Sequence, residues 1–522
     1  MERLRLNEIL FGKTDAFNEL IELGQDFFVD AFVNNEKYHM NDFLQGKKYY
    51  ICGKKGTGKT AFLRYLECSL ESPEHLIIPL RFKSDFDDVD KEQFIGSTLN
   101  TKEKEAASEK EAFSSHDIIS QKSYVLMWKT FLINQVIQQA RSKELSVFVE
   151  DERFNCILDL LHVLYGDSDN GGIVMPKLKK GTIELSSSLS SKLSAKVKLD
   201  IDFDPKNKKV NYQKTAKTIL RLFNELTFSK IKVYVFIDEL ELSVRNKSMH
   251  QKDVMLVRDL ILSIDELNKT CSQRCYEIRF ISAVRSEVIN NVLSAGYEIN
   301  KCIEDYGITI EWFQKGGNYK DNQLLRIIEN KIHASEKQKG LTPSQDVWST
   351  YFEKTIHGIE VRKYILNNTW YRPRDIIRLM TLLQSSNNDG TVFNQQSFDS
   401  AQQEYSTRMW SEFSEELILS YSSDDIKAIK SFLNRIELPF TFDYLKTRAS
   451  KMGEIYPNIK AFFEKVSMAE FLEKMFTLGI VGNTGGRMVF YFLGDQDLSL
   501  VDPMVIHNPL RNFFAVQSQK NN

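Results

Sequence analysis

Residues 47–60, KKYYICGKKGTGKT, restrict what this chain can fold into more than any other stretch. The apolar run at 49–52 reads as a short buried strand. Gly53, Lys54, Lys55, Gly56, Thr57, Gly58, Lys59 and Thr60 then satisfy G-x-x-x-x-G-K-[ST] at every fixed position, and AFLRYLECSL continues as a helix. Strand, glycine-rich turn and helix in that order make a phosphate cradle. The glycines clear side-chain bulk where backbone N–H groups must wrap phosphate oxygens, and the helix start offers unpaired donors. In this chemistry Lys59 reaches the β- and γ-phosphates, and Thr60 holds Mg²⁺ through its hydroxyl. ATP and Mg²⁺ are the implied ligands.

A second cluster supplies acid. IKVYVFIDELE at 231–241 runs from apolar residues straight into Asp238 and Glu239. Asp238 is placed to order Mg²⁺ and its waters. Glu239, one residue on, where the chain is expected to change direction, is the candidate general base for an attacking water. A further strand is expected within YEIRFISAVRSEVI, 276–289, with Ser282 near its end and Arg285 just beyond. Both can sense a γ-phosphate. Arg285 can instead act across a subunit interface or make a structural salt bridge. In NTWYRPRDIIRLMTLL, 368–383, Pro373 opens a helix where its missing N–H costs nothing. Arg372, Arg374 and Arg378 crowd that start, and Arg374 is the candidate to reach a γ-phosphate.

GKKGTGKT, VFIDELE and YRPRD, in that order, resemble the AAA+-like P-loop NTPases, with the first two as Walker A and Walker B motifs. YRPR is similar to the family's G-x-P-R second sensor, whose nucleotide-contacting arginine falls on Arg374. Tyr371 stands where a glycine is common, and Ser282 is the nearest match to the first sensor. The opening LNEILFGKTDAFNEL resembles a prokaryotic set of P-loop ATPases described as the Sll1717 type. Some relatives of that broad class occur beside restriction or antiphage genes. The resemblance implies a Mg²⁺-dependent ATP hydrolase working as a nucleotide-driven switch, with antiphage defence as its setting.

A length of 522 residues fits about two to four domains. The expected fold is α/β. A P-loop core with a parallel sheet carries a helical lid, a large α+β insertion and a C-terminal winged-helix-like domain. The expected divisions are 1–83 (arm and first half of the core), 84–215 (insertion), 216–315 (second half), 316–400 (lid) and 401–522. The arm is expected to pack on the ATPase core. HLIIPLRF at 75–82 is a strand whose Pro79 excludes full ladder bonding, and YGITIEWF at 306–313 is a fifth strand. Residues 84–116 fit a loop or a solvated helix. SYVLMWKTFLINQVIQQA, 123–140, and ERFNCILDLLHVLYG, 152–166, are helical. Residues 167–210 alternate like exposed strands and carry Lys177, Lys179, Lys180, Lys192, Lys196, Lys198, Lys206, Lys208 and Lys209. Such a basic edge suits nucleic acid, or simply prevents aggregation.

The C-terminal candidate recognition helix, 467–478, sets Glu470 and Glu473 against Lys474. Arg487, in the expected wing, is the one obvious phosphate contact. This acidic helix favours a packing or protein-docking module over direct DNA readout; with the lysine-rich 177–209 region, DNA remains the second functional class, as a remodelling or loading ATPase, and a scaffold that binds ATP with little turnover is the third. A second copy or another protein is the expected partner. Six scattered cysteines give no zinc pattern, and no apolar run reaches membrane length, so a cytoplasmic location without a membrane is expected.

Overall fold

The computed structural model describes residues 3–82, 116–166, 182–184, 198, 201–206, 209–240, 247–294, 296, 298–387, 389–418 and 420–516. They form two compact units, one of Glu36–Lys55 and Phe62–Ile310, the other of Met1–Asn35, Gly56–Ala61 and Glu311–Asn522.

The first unit holds the sheet. Its strands are β1 (Tyr50–Gly53), β2 (His75–Arg81), β3 (Thr182–Glu184), β4 (Lys209–Asn211), β5 (Lys232–Leu240), β6 (Ile278–Arg285) and β7 (Gly307–Thr309). Five of them form one parallel sheet in the order β2-β5-β6-β1-β7. β5 is buried almost from end to end, as a central parallel strand covered on both faces must be. Pro79 pairs in register with Phe236, and β2 is the edge strand, where a missing N–H can face outward without breaking a ladder. The fifth strand is shorter than expected and stops at Thr309.

Helix Lys247–Gln273 packs on β6, and helix His116–Ser142 packs on both that helix and β2. Two tyrosines of the β1 region bind the first of these. Tyr49 Oη–H donates to Asp265 Oδ1 (2.5 Å), and Tyr50 Oη–H donates to the Ile261 carbonyl (2.6 Å). Helix His116–Ser142, within the stretch expected as an insertion, is thus part of the sheet's cover. Met127, Trp128, Phe131, Ile133 and Ile137 are all buried. Helix Glu152–Tyr165, capped by Asp151 and ended by Gly166 at φ +78°, packs against helix Tyr212–Phe223. β3 and β4 pair antiparallel. Residues 84–115 and Lys177, Lys179, Lys180, Lys192, Lys196 and Lys208 lie outside the described residues.

The second unit is mainly helical. It contains helices Arg326–Gln338, Pro373–Ser386 and Gln395–Leu417, with a small hairpin of β8 (Thr355–Ile356) and β9 (Ile359–Glu360) between the first two. The boundary expected at 400/401 falls inside helix Gln395–Leu417, which Asn394 caps and whose Phe398, Tyr405, Met409 and Phe413 are buried along its length. The arm also departs from expectation. Its residues 1–35 belong to this unit and pack on its helices, while 36–46 belong to the sheet unit, where Tyr38 and Phe43 pack on Phe62. Leu6 N–H donates to the Gly390 carbonyl (2.8 Å), and Phe11 meets Phe393 with ring centroids 6.0 Å apart. Glu19 and Lys331 form a buried ion pair of 2.5 Å.

Toward the C-terminus, helices Ser423–Leu433, Phe442–Ile455, Pro457–Lys465 and Met468–Thr477 precede an antiparallel pair, β10 (Val481–Asn483) and β11 (Met504–Ile506), and helix Asn508–Val516. GGRMVFYFLGD does not form the expected strand. Val489 makes a lone bridge to Asn483, and residues Tyr491–Leu493 form a 3-10 turn. Among the described residues, no helix is long and apolar enough to cross a membrane.

Candidate functional site

β1 ends at Gly53, a turn carries Lys54 and Lys55, and helix Lys59–Ser69 begins within the motif. The turn needs its glycines: Gly56 has φ +81° and Gly58 φ +93°, conformations that strain any side chain with a Cβ. Thr57 and Lys59 are buried, and Gly58 and Thr60 are partly exposed. The first turn of the helix holds no acidic residue, so its partial positive charge is left for an anion.

Two groups of the helical unit fix this turn. Trp312 Nε1–H donates to the Thr57 carbonyl (2.9 Å), and Arg374 N–H donates to the Gly56 carbonyl (3.4 Å). Asn322 in turn holds the Trp312 carbonyl (3.2 Å). Sequence reasoning assigned Trp312 to a strand. A Cβ on Gly56 would come within 3.3 Å of Arg374 Cβ, so the arginine's backbone lies directly on the loop.

The helix start that carries Arg374 is heavily paired. Arg372 forks onto Asp375 (Nε–Oδ2 2.7 Å, Nη2–Oδ1 2.9 Å) and approaches Glu412 (3.4 Å), while Arg378 reaches Glu412 at 2.6 Å. Burial opposes the charge on Arg372, but Asp375 and Glu412 more than reverse that and hold it firmly protonated. Burial also works against the Glu412 carboxylate, yet Arg372, Arg378 and Arg374 pull it down to about 2. Arg374 is different. Its side chain makes no ion pair within 4 Å among the described residues, and burial lowers its pKa from the ordinary arginine value. The helix is also entered as the glycine of the common motif would enter it. Tyr371 takes φ +52°, with its ring 5.1 Å from Phe313, edge-on.

On the sheet, Asp238 is buried and pairs with Arg81 of β2 in register. Its Oδ1 accepts from Glu239 N–H (2.8 Å), but its Oδ2 is buried with no hydrogen-bond partner. Glu239 does not follow the strand, as the sequence suggested. It lies inside β5 at φ +61°, where the register against β6 shifts between Ile237 and Leu240. A bulge of this kind re-aims a side chain, here at a conformational cost of about 1–3 kcal/mol. On neighbouring β6, Ser282 faces Ile237 on one side and Tyr50 on the other, and its fully buried Oγ also lacks a partner. Arg285 ends β6, half-buried.

A residue that sequence reasoning passed over is Glu67. Burial raises its carboxyl's pKa, Arg64 opposes this through a 2.6 Å bond, and the charge of Asp238 adds to the rise. The i,i+3 spacing of Arg64 and Glu67 was the readable signal.

These side chains suit an anion bound at the helix start and a divalent cation at Asp238. Among the described residues no group of three His, Cys, Asp or Glu side chains could hold a metal alone, and Mg²⁺ bound with phosphates needs only one or two carboxylates. In the C-terminal region, Glu470 and Glu473 are exposed, and Arg487 pairs with Asp495.

A family described as the FunZ-associated C-terminal helical domain matches residues 322–414. The stretch includes Asn322, Arg372, Arg374, Arg378 and Glu412. None of the curated proteins compared matches the chain.

Proposed function

We propose that the chain is a Mg²⁺-dependent P-loop ATP hydrolase that works as a nucleotide-driven switch. The observation that carries this is the sheet order. β5, with a buried unpaired carboxylate oxygen near its end, is separated from β1 by β6 alone, and β6 carries the unpartnered Ser282 hydroxyl. An unpaired buried polar atom costs about 1–3 kcal/mol, and these two lie on adjacent strands, where one ligand can use both. In this reading the amides of 53–60 and the Lys59 ammonium bind the β- and γ-phosphates, and Ser282 hydrogen-bonds the γ-phosphate. Thr60 and Asp238 hold Mg²⁺, which supplies neutralisation of the developing phosphate charge. Glu239 accepts the proton of the attacking water, and its bulge aims the carboxylate. Arg374, unpaired beside the loop, answers to the charge of the γ-phosphate. Arg285 serves the same site in its own chain or in a second copy.

The setting in antiphage defence, and kinship to the Sll1717-type AAA+-like ATPases, rest on the motifs. The FunZ-associated name of the matched stretch is compatible with the first. DNA readout by the C-terminal helices has less support, because the exposed face of Met468–Thr477 is acidic and Arg487 is paired.

Comparing wild type with Glu239→Gln and Lys59→Ala tests the reading. The Glu239→Gln variant should bind ATP with Mg²⁺ and lose about 10²- to 10⁴-fold in hydrolysis. The Lys59→Ala variant should lose binding. Unchanged phosphate release from the first would remove the base assignment and leave a scaffold. Failure of wild type to bind ATP would remove the whole reading.

A further inference from the structure

We propose that the C-terminal segment seats Arg374, with Trp370 and His507 as the positioning residues. The inference rests on Arg374 answering to nucleotide. Three successive backbone carbonyls ahead of the helix are held by side chains from far along the chain. Asn508 donates to Asn367 O (3.3 Å), Tyr405 to Asn368 O (3.0 Å) and His507 Nε2–H to Thr369 O (3.0 Å). Next in sequence, Trp370 Nε1–H donates to the Gly479 carbonyl (2.8 Å), just ahead of β10. A Cβ on Gly479 would meet the Trp370 ring at 2.8 Å, so the residue type there is set by this contact.

Rings close the clasp. Trp370 packs edge-on to His507 at 4.6 Å and against Phe413 at 5.0 Å. Trp370 N–H and the Arg372 fork both end on Asp375. The segment 367–372 is thus fixed at every residue but Tyr371 by a polar group outside it or by Asp375, and Arg374 follows with its N–H on Gly56 O. Because Arg374 has no ion pair of its own among the described residues, its backbone seat sets where the guanidinium lies. A buried histidine and tryptophan whose side-chain donors both end on backbone carbonyls are a costly way to fill a core. Leucines would pack as well and hold nothing.

The proposal predicts that loosening the clasp is felt at the phosphate loop. In His507→Leu, amide hydrogen exchange should speed about tenfold at 372–378 and at Gly56–Ala61. His507→Gln, which keeps a donor, should restore most of the protection. The ATPase turnover of His507→Leu should fall about five- to thirtyfold with KM for ATP within about twofold, equivalent to the loss of one or two hydrogen bonds. The same substitution should cost nothing further in Arg374→Ala. Where His507→Leu does not fold, Trp370→Phe keeps the ring and removes one donor. Exchange that rises only at 479–508, or equal losses in the wild-type and Arg374→Ala backgrounds, would overturn the proposal. If wild type hydrolyses no ATP, the functional reading fails, and exchange at Gly56–Ala61 still decides the seat.

Discussion

Near the end of β5 and on neighbouring β6, two polar atoms are buried and left without hydrogen-bond partners. At the start of helix Pro373–Ser386, almost every charge is buried and paired. Asp238 Oδ2 and Ser282 Oγ stand on the first side of this comparison, and the Arg372–Asp375–Glu412–Arg378 cluster stands on the other. The difference separates two uses of burial. An unsatisfied group is poised for something to arrive, and it weakens the fold meanwhile. A cluster whose charges face opposite charges holds geometry, even where, as at both Glu412 oxygens, no hydrogen bond completes the ion pair. Arg374 sits in the paired region without a pair of its own, as a reporter on a rigid mount would.

The largest test breaks the paired side. Glu412→Ala leaves Arg372 and Arg378 buried with one carboxylate between them. It should cost about 3–5 kcal/mol, read from denaturant melts. Asp238→Asn should show no such loss. Removing a charge whose Oδ2 has no partner should leave stability unchanged or raise it by up to about 1 kcal/mol, while Mg²⁺-dependent hydrolysis disappears. Equal losses from the two substitutions would erase the distinction.

pH sharpens the same contrast. Burial pushes His507, in the helical unit, down to about 3. Its neutral form is the folded one, so the unfolded chain binds more protons below about pH 6.5. Stability from this group is complete above that value and falls on acidification, by about 2 kcal/mol at pH 5. Glu412 adds a loss only below its unfolded value of about 4.5, as pH approaches about 2. In the sheet unit, burial raises Asp259 to about 7 despite its bond to Arg258 (2.7 Å). Its neutral form is favoured, so stability is present below about pH 4 and lost as pH rises toward 7. The helical unit should therefore weaken in acid, and this site in the sheet unit should weaken toward neutral pH. Hydrogen exchange followed separately at Ile480 and Ile261 from pH 4 to 8, corrected for intrinsic rates, should show opposite slopes. His507→Gln should flatten the first.

What was legible in the sequence follows from how local each signal is. GKKGTGKT and IDEL state their own strand and turn, because spacing within a dozen residues sets the backbone. Tyr371 was readable as a departure from glycine, but not that it would keep glycine's left-handed backbone. The rings of Phe313 and Phe492 that pack on it come from distant parts of the chain. Trp312, His507 and Gly479 were invisible for the same reason, since each acts through a partner over a hundred residues away. Residues 1–35 of the arm went to the other body because their amphipathic pattern says that a face is buried and not against what. The expected 400/401 division falls inside helix Gln395–Leu417, whose buried Phe398, Tyr405, Met409 and Phe413 run across it.

The smallest effect falls on Glu239, and it asks whether the strand end is built at the fold's expense. At φ +61° a glutamate pays for a backbone that glycine adopts freely. Glu239→Gly should therefore stabilise the sheet unit by about 0.5–1 kcal/mol, provided that the bulge persists, and should remove hydrolysis. Glu239→Gln should leave stability where it was, because it keeps the Cβ and therefore the strain. A stabilised but inactive glycine variant beside an unstabilised, inactive glutamine variant would tie the strain to aiming the carboxylate. If glycine destabilises instead, the side chain has a packing role in the sheet, and the strained bulge follows from that packing.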